Sequence, residues 1–250
     1  MIYNLEIAIP SYNRPSLLLT KTLKLLSDIP KEYIKIYLED ESQLELYKEI
    51  EGYEFVLTHT KGIGNKRNFI KKHTDKEWLF QIDDDITAII DYDKHQLTSQ
   101  EVFDVIIRGF QETEKVGLRL WGINPYDNSF FMKPTISTHL KFICGNFCGV
   151  IMKNTLILST INTFEDYYIT CTHFIEDGGV LRLNAFGTRT NFATNKGGLQ
   201  SFFEVGERVK EERMNASILQ NLFPFGMIKQ YEKKRGVDIR LNPHFHCENY

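Results

Sequence analysis

The chain has 250 residues, of which 42% are hydrophobic and 25% are charged, and its formal net charge is −3. This balance excludes a disordered or fibrous chain and a generically basic nucleic-acid binder, but it is compatible with a local basic groove. No run of 18 apolar residues predicts a membrane-spanning helix, and four scattered cysteines are too few for a disulfide scaffold. Because the sequence also starts directly in a strand-like pattern, we expect a cytoplasmic protein of one α/β domain.

Strand-like and helix-like patterns alternate in the first third of the chain. Short apolar runs, each followed by a polar cluster, predict four strands, over 5–9, 33–38, 54–58 and 78–82. Apolar residues at helical spacing predict three helices between them, over 15–26, 44–50 and about 65–74. Strands that alternate with helices form βαβ units, so we expect a largely parallel sheet.

Beyond residue 95 the patterns are less regular. They predict three helices, over about 98–114, 165–176 and 201–222, and two strands, over 116–123 and 139–152. An ordered loop is expected over 187–199. Thr98 or Ser99 is the expected N-cap of the first of these helices. No internal repeat or linker interrupts the chain, which favours a single domain.

Polar clusters follow each of the four strands predicted in the first third. They cover residues 11–14, 39–41, 61–67 and 83–85. In open α/β sheets, ligands bind at the carboxyl ends of the strands. We therefore expect these clusters to lie along one edge of the sheet, although they are far apart in sequence.

The consecutive carboxylates Asp83, Asp84 and Asp85 are the sharpest feature of the sequence. Three carboxylates at the end of a buried strand repel one another, which is costly unless a cation neutralises them. Carboxylate oxygens suit Mg²⁺ or Mn²⁺, and such an ion keeps room for the phosphates of a substrate. The alternative is a solvated acidic turn.

A glycine-rich turn, Gly62-Ile-Gly-Asn-Lys-Arg-Asn68, precedes the third predicted helix. It lacks the third glycine of a dinucleotide fingerprint and the GK[ST] of a P-loop. A diphosphate can still bind at such a helix N-terminus, assisted by Lys66 and Arg67. The alternative is a plain turn that carries surface bases.

Two further motifs have both a functional and a structural interpretation. Glu165 and Asp166 open a predicted helix, where the helix dipole stabilises carboxylates. Spacing alone favours this structural role over the functional one, in which a carboxylate acts as a general base. Lys196, Gly197 and Gly198 belong either to a loop that closes over phosphates or to a tight turn.

Cysteines and histidines give only weak candidates. Cys144 and Cys148 have no second pair at zinc spacing, so we expect them in the core. His244 and His246 could complete a metal site but are more simply bystanders near the end of the sequence.

The order of these motifs resembles that of GT-A glycosyltransferases. It is similar in particular to the TET-associated glycosyltransferase family, which includes the base J glucosyltransferase and phage enzymes that glycosylate hydroxymethylpyrimidines in DNA. The resemblance runs from about residue 5 to 200 and rests on six short motifs, Pro10–Arg14, Glu39–Glu41, Gly62–Ile70, Trp78–Ile86, Glu165-Asp166 and Gly187 to Gly198. Two features depart from the family pattern: Thr188–Ala193 separate Gly187 from the Thr-Asn-Lys-Gly-Gly run, and the C-terminal tail does not align.

The resemblance implies a GT-A fold, that is, a Rossmann-like, mainly parallel sheet flanked by helices, with a C-terminal helical segment. It implies one domain over 1–250, with a nucleotide-sugar half to about residue 95, an acceptor half over about 96–200 and the helical segment over about 201–250. It also implies a metal-dependent transfer of a hexose or pentose from a nucleotide sugar, a UDP-sugar above all, with Mn²⁺ or Mg²⁺.

Residue roles follow from the resemblance position by position. It assigns nucleotide-sugar binding to Pro10, Ser11, Arg14, Glu39, Glu41, Gly62, Lys66, Arg67, Asp83, Asp84, Lys196, Gly197 and Gly198. Asp83 and Asp85 would bind the metal ion. Glu165 and Asp166 would form the catalytic pair at the acceptor, with Asp166 as the base if the anomeric centre inverts.

The acceptor implied by the resemblance is the hydroxyl of a 5-hydroxymethylpyrimidine in DNA. A local basic run, Lys229, Lys233, Lys234 and Arg235, is a possible contact for the DNA backbone, although it also fits a solvated helix end. Two alternatives stay open. One is a GT-A enzyme that acts on a glycan, lipid or protein hydroxyl, which suits the acidic net charge, and the other is a non-catalytic nucleotide-binding module.

Overall fold

The computed structural model describes residues 2–153, 156–190, 207–233 and 236–245. Within them the elements follow in the order β1 (Leu5–Pro10), α1 (Pro15–Thr20), α2 (Thr22–Leu25), β2 (Ile34–Leu38), α3 (Glu41–Leu46), β3 (Glu54–Leu57), α4 (Ile63–His73), β4 (Trp78–Ile82), β5 (Ala88–Asp91), α5 (Ser99–Lys115), β6 (Leu120–Asn124), β7 (Ile136–Ser137), β8 (Phe147–Ile151), α6 (Glu165–Asp177), β9 (Leu181–Arg189), α7 (Glu207–Leu222), β10 (Ile228–Lys233) and β11 (Gly236–Leu241).

One sheet of nine strands organises the described chain. Its order is β3-β2-β1-β4-β8-β6-β9-β5, and β7 pairs with β9 beside this path. The four strands from β3 to β4 are parallel, as predicted, and β8 pairs antiparallel with both β4 and β6. Strands β10 and β11 form a separate antiparallel hairpin. The parallel half brings the carboxyl ends of β1, β2 and β4 to a single edge.

Helices cover both faces of the sheet because the strand residues alternate between them. Leu5, Ile7 and Ile9 of β1 pack into a cluster with residues of α1, α2 and α5. Ala8 points to the opposite face, where it packs with Ile70 of α4. A further cluster joins β6 and β8 to α6, α7 and the hairpin.

Two of the predicted helices differ in detail. The helix expected over 15–26 is divided at Lys21, whose φ of −117° and ψ of −84° are not helical. The helix expected over 44–50 begins at Glu41 instead and ends at Leu46, because the Asp40 carboxylate accepts hydrogen bonds from the backbone of residues 42 and 43. Asp40 is therefore an N-cap that the leucine spacing did not reveal.

The strand predictions were too broad in the middle of the chain. Residues 116–119 form a turn and an extended connection before β6, and only 147–151 of the predicted strand 139–152 pair in the sheet. The ordered loop expected over 187–199 begins with the last three residues of β9, and residues 191–199 lie outside the described residues. The segment expected to be helical over about 201–250 is helical only in α7, and the prediction was wrong for the residues after it, which pair as the β10–β11 hairpin.

Helix α5 confirms its prediction and shows how closely the core is packed. Thr98 caps it in a reciprocal capping box with Glu101. At Gly109 the helix backbone lies against the fully buried ring of Trp121, and an added Cβ would come within 2.5 Å of three atoms of this ring. The indole is fixed in turn by Phe80 and Phe110.

Gly109→Ala is expected to destabilise the protein. In an ordinary helix interior the substitution stabilises by about 1 kcal/mol, but overpacking against the indole costs about 1–3 kcal/mol. Urea unfolding of this variant, with Arg108→Ala on the exposed side of the same helix as control, measures the balance. A free energy of unfolding above that of the wild type would show that the Trp121 packing yields easily.

Candidate active site

The predicted polar clusters do meet at the carboxyl edge of the parallel strands. Ser11 follows β1, and its backbone N–H donates to the carbonyl of Tyr37 at the end of β2. The Ser11 hydroxyl donates to Asp84 Oδ2 over 2.5 Å, which links β1 to the acidic triplet after β4. Strand β1 lies between β2 and β4, so its last residues occupy the centre of this edge.

Asp84 points into the protein. It is 4% exposed, and Arg14 Nη1 lies 3.2 Å from its second carboxylate oxygen. Burial raises the pKa of Asp84 to about 6, although the Ser11 hydroxyl and the Arg14 charge oppose the shift. Asp84 therefore fixes the loop after β1 in place, and its contacts are with the protein.

Asp85 shares the same arginine. Arg14 Nη1 lies 3.3 Å from Asp85 Oδ2, and the Thr190 hydroxyl donates to Asp85 Oδ1 over 3.2 Å. Thr190 follows β9 directly, so Asp85 connects the nucleotide half that we predicted to the second half of the chain. Two of the three carboxylates thus share the charge of one guanidinium.

Lys66 approaches this edge from α4. Its ammonium is buried and donates to the carbonyl of Ser11 over 2.9 Å. Burial lowers the pKa of Lys66 to about 8, against the opposing charge of Glu39 and Asp84. Glu39 is buried too, and its Oε2 has no hydrogen-bond partner among the described residues. A buried acceptor without a donor is costly, so Glu39 is a candidate to receive a hydrogen bond from a ligand.

The remaining nucleotide candidates have different environments. Pro10 is the buried last residue of β1, whereas Glu41 is exposed in the first turn of α3, 3.9 Å from His59. Gly62 precedes α4 with a φ of +85°, and an added Cβ would lie 2.7 Å from the side chain of Asn162. The turn therefore requires glycine for conformational and steric reasons.

Arg67 forms the central contact of the site. Its Nη2 donates to Asp83 Oδ1 over 2.8 Å and its Nη1 donates to Glu165 Oε1 over 2.7 Å. The guanidinium also occupies the space that a Cβ at residue 145 would need, so Gly145 is required there. Arg67, which the resemblance places at the ribose or diphosphate, lies between two carboxylates in this structure.

Glu165 and Asp166 lie in the first turn of α6, at the second side of Arg67. Helix α6 has no side-chain N-cap, because its preceding residue is Phe164 in the left-handed conformation. The carboxylate of Asp166 lies 3.5 Å from the backbone N–H of Gly145. These partners belong to other parts of the chain, so the two acids do more than stabilise their own helix.

The three acids around Arg67, which are Asp83, Glu165 and Asp166, are not fully neutralised by its single positive charge. Burial raises the pKa of Glu165, Asp166 and Asp83, and the charge of Asp166 raises that of Glu165 further. Burial would lower the pKa of Arg67, but Asp83 and Glu165 raise it above its ordinary value. One guanidinium cannot neutralise three carboxylates, so the repulsion that remains favours the protonated form of these acids.

A cavity of about 220 Å³ opens in front of this cluster. Its polar wall includes Arg67, Asp83, Asn146, Thr163, Glu165, Asp166, Arg208 and Glu212. Asp83 Oδ2 makes no hydrogen bond with any described residue, and about a third of the Asp83 side chain is exposed. The cavity therefore places an available carboxylate oxygen opposite the Glu165–Asp166 pair.

The acids fit a divalent ion only if a ligand completes its coordination. The described residues contain no group of three or more His, Cys, Asp or Glu side chains arranged to bind a metal. Asp83 offers its open oxygen, and Asp85 is close enough for the two charges to interact. Mg²⁺ and Mn²⁺ sites with one or two carboxylates plus substrate phosphates are common, and the donor set fits such a site.

Some predicted residues do not join the site. Lys196, Gly197, Gly198 and His246 lie outside the described residues. His244 lies in an exposed turn after β11 and belongs to no metal-binding group there. Cys148 is in the core as predicted, but Cys144 is only half-buried and lines the cavity, where burial raises the pKa of its thiol.

Other residues at the site were not predicted. The Tyr47 hydroxyl lies 2.6 Å from the Ser11 hydroxyl and accepts from the backbone N–H of Arg14. Asn146, which directly precedes β8, and Arg208 and Glu212 of α7 also line the cavity. Each of these residues occurs singly in an ordinary helical or strand pattern, so no motif pointed to it. The only signal for a site in this part of the sequence was the segment near Thr190, which is rich in threonine and asparagine.

A larger cavity lies elsewhere among the described residues. It has a volume of about 510 Å³ and is lined by residues from the opposite edge of the sheet, including Lys71, Lys72, Lys76 and Lys153. None of the predicted site residues lines it. Chemistry rather than size therefore selects the smaller cavity as the candidate site. No helix in the described ranges combines the length and apolar character needed to span a membrane.

Comparisons with known proteins identify the fold. No protein-family profile and no curated protein sequence matches the chain. Solved structures do match it. TarS of S. aureus in complex with UDP-GlcNAc has a TM-score of 0.53 and 13% identity, over 87% of this chain and 66% of that one. Glucosyl-3-phosphoglycerate synthase of Mycobacterium tuberculosis in complex with Mn²⁺ and UDP-glucose has a TM-score of 0.58 and 11% identity. This match covers 96% of this chain and 86% of the synthase.

A second complex of the mycobacterial synthase, with phosphoglyceric acid, gives a TM-score of 0.59 at 10% identity. The chain spans about two thirds of the TarS 1–349 fragment: it covers 65% of that fragment in a further structure of it. At these identities the likeness concerns the fold. It confirms the predicted α/β architecture as a GT-A fold.

Arg67→Met is expected to destabilise the protein strongly, because it leaves the buried Glu165 carboxyl and the half-buried Asp83 and Asp166 carboxyls without their counter-charge. Removing one partner of a buried ion pair costs about 3–5 kcal/mol. The folded-state carboxyl pKa values would rise further above those of the unfolded chain, so the unfolded chain would bind fewer protons and the penalty would grow from pH 5 to pH 8.

Urea unfolding at both pH values measures this effect. Arg189→Ala is the control, because it removes a half-exposed ion pair with Asp127 that is worth no more than about 1 kcal/mol. The double variant Arg67→Met/Glu165→Gln should recover part of the stability. Equal losses for the Arg67 and Arg189 variants would refute the bridging role.

Proposed function

We propose that the protein is a metal-dependent glycosyltransferase that moves a sugar from a nucleotide-sugar donor to the hydroxyl of a 5-hydroxymethylpyrimidine in DNA. The observation that carries the transferase proposal is the pairing of two acidic groups across Arg67. Asp83 lies on the donor edge of a GT-A fold and Glu165–Asp166 lie opposite it, around one cavity. The neighbours solved with UDP-GlcNAc and UDP-glucose support a UDP-sugar donor.

The donor side offers groups for a nucleoside diphosphate. Glu39 has a buried oxygen without a donor, which suits an N–H or O–H group of a base or ribose. Arg14 and Lys66 lie beside the acidic triplet and supply positive charge where the diphosphate would lie. A divalent ion on Asp83 and Asp85 would supply further positive charge against the leaving diphosphate.

The acceptor side offers groups that can orient and deprotonate a hydroxyl. Asp166 lines the cavity and has a raised pKa, which brings its proton affinity closer to that of an effective general base at neutral pH. Glu165 is more deeply buried and bonded to Arg67. We therefore assign proton removal to Asp166 and the positioning of Arg67 to Glu165.

The DNA acceptor rests on the resemblance of the ordered motifs and is the finest part of the proposal. The hydroxymethyl group of a modified pyrimidine projects into the major groove, so a transferase can reach it with or without base flipping. A glycan, lipid or protein hydroxyl is the competing acceptor, and the protein's acidic net charge fits it as well.

A transfer assay tests the whole proposal. The protein is incubated with Mn²⁺, a panel of nucleotide sugars, and DNA with or without hydroxymethylated pyrimidines, and nucleosides are analysed by mass spectrometry. We expect a hexose or pentose mass on the hydroxymethylated base alone. Donor hydrolysis without labelled DNA would reject the DNA acceptor and keep a transferase. Nucleotide-sugar binding without any turnover would reject both and leave a binding module.

Asp85→Asn is expected to reduce transfer by at least about a thousandfold, because metal charge on a leaving diphosphate is worth several kcal/mol. EDTA should abolish wild-type activity and Mn²⁺ should restore it. The folded state is checked by thermal unfolding, and Asp104→Asn on the exposed side of α5 is the control. Undiminished activity in EDTA would remove the metal from the mechanism.

Asp166→Asn is expected to lower kcat by about 10²–10⁴-fold if Asp166 removes the acceptor proton. Nucleotide-sugar binding should stay unchanged, because this residue lies on the acceptor side of Arg67. Single-turnover kinetics and equilibrium donor binding separate the two effects. A near-normal rate would return Asp166 to a structural role in the first turn of α6.

A further inference from the structure

We propose that the connection between β6 and β7, together with Lys133, Lys141 and Arg182, forms a nucleic-acid-binding track that leads from the candidate active site along β9. This inference rests on the proposed DNA acceptor and specifies where the DNA strand would lie. The track consists of two parts, an aromatic tip formed by Phe130 and Phe131, and a cation cluster formed by Lys133, Lys141 and Arg182.

The aromatic tip is unusually open to solvent. Phe130 is 81% exposed and Phe131 is 66% exposed, and the two rings meet edge to face with centroids 5.0 Å apart. Tyr126, at the start of the same connection, is 62% exposed. Three large exposed aromatic side chains within six residues form a surface on which planar bases can stack.

The connection is fastened to the end of β9 beside the acidic triplet. The Thr188 hydroxyl donates to the carbonyl of Pro125 over 2.8 Å, and Arg189 Nε donates to Asp127 Oδ2 over 2.6 Å. The next residue, Thr190, donates to Asp85. The aromatic segment is therefore bonded to Arg189, and the residue that follows Arg189 is bonded to the proposed metal ligand Asp85.

The connection then runs back along β9 in the opposite direction. The backbone N–H of Lys133 donates to the carbonyl of Asn184 over 3.0 Å, and Ser137 of β7 pairs with Arg182. At about 3.3 Å per strand residue, the distance from Arg189 to Arg182 is roughly 23 Å. The track is thus long enough to follow about seven base pairs of a DNA strand.

The cation cluster lacks counter-charges. None of its three side chains forms an ion pair with a carboxylate of the described residues, although Arg182 Nε donates to the side-chain oxygen of Asn184 over 2.8 Å. Burial lowers the pKa of Lys141, and the charge of Arg182 lowers it further. Neighbouring cations that repel one another are stabilised by an anion between them, as a phosphate provides.

Lys141 also links the cluster to the acceptor side of the site. The next residue, Phe142, stacks on Tyr167 with centroids 4.2 Å apart, and Tyr167 follows Asp166. An uncharged glycan would account for exposed aromatic rings but not for cations without carboxylate partners among the described residues. The combination of the two is typical of surfaces that bind nucleic-acid strands.

The cation cluster is tested by fluorescence anisotropy with a labelled oligonucleotide over a range of salt concentrations, without donor or metal. We expect Lys133→Ala/Lys141→Ala/Arg182→Ala to reduce the log–log salt slope by about 2–3, since each lost phosphate contact contributes about 0.7–0.9. The matched control is Lys24→Ala/Lys72→Ala/Lys94→Ala, which removes three exposed lysines that form no ion pair with a described carboxylate. An equal slope change in both triple variants would overturn the cation cluster.

The aromatic tip is tested with the same oligonucleotide and with heparin, a polyanion without bases. Phe130→Ala/Phe131→Ala should weaken oligonucleotide binding about tenfold or more and leave heparin binding unchanged, because stacking requires bases. Phe225→Ala is the control, since Phe225 is 97% exposed between α7 and β10. Equal losses for both ligands, or no loss for the oligonucleotide, would overturn the stacking role.

These binding measurements separate the track from the proposed reaction. Track-dependent binding without transfer to hydroxymethylated DNA would sustain the track and reject the reaction. Transfer to DNA that both triple variants support equally would sustain the reaction and reject the track. A wild-type protein that neither binds nor modifies DNA at low salt would reject both.

Discussion

The buried contacts of Arg67 with Asp83 and Glu165 join the two halves of this protein at the site. Asp83 follows β4 in the parallel half, and Glu165 begins α6 in the second half. No other part of the described site connects the donor and acceptor acids so directly. The contact also constrains its surroundings, because the guanidinium fits only where residue 145 is glycine. The geometry of the candidate site therefore depends on a single charged side chain and on the space left for it.

Arginine side chains of the protein itself offset the repulsion within the acidic triplet. The sequence alone predicted a cation to neutralise three adjacent carboxylates, yet Arg14 shares its charge between Asp84 and Asp85, and Arg67 binds Asp83. The folded protein can thus tolerate the triplet before any ligand arrives. The open oxygen of Asp83 is the better support for a metal, because it faces a cavity and has no described protein donor. A metal ion held by Asp83 and Asp85 would then replace the Arg14 contact of Asp85, and it would not be needed to stabilise the turn.

Much of the donor edge was predictable, because parallel strands impose their own geometry. Once β1, β2 and β4 were recognised, Ser11, Glu39 and the acidic triplet had to meet at one edge. The individual roles were not predictable, since Asp84 and Asp85 look alike in sequence while one is bonded to Ser11 and the other to Thr190. The partner of Arg67 was equally hidden, because its contact with Glu165 joins residues 98 positions apart. Strand β9 was missed because its residues 187–189 resemble a polar loop, although they pair with β5.

Net charge alone does not decide between the proposed acceptors, and the pairing of individual charges says more about which surface could bind a polyanion. The chain carries an excess of three negative charges, yet many of its basic side chains are already bonded to carboxylates. What a polyanion can bind are the cations that remain unpaired. The basic run predicted near the hairpin illustrates the difference, since Lys233 is bonded to Asp238 and residues 234–235 lie outside the described ranges. Lys133, Lys141 and Arg182 are scattered in sequence and gave no motif. Lys133 and Arg182 both lie where β9 meets the β7 segment, and Lys141 is close enough to Arg182 for their charges to interact. None of the three forms an ion pair with a carboxylate of the described residues. A mildly acidic protein can therefore present a local surface for nucleic acid, provided that its fold separates a few cations from its acids.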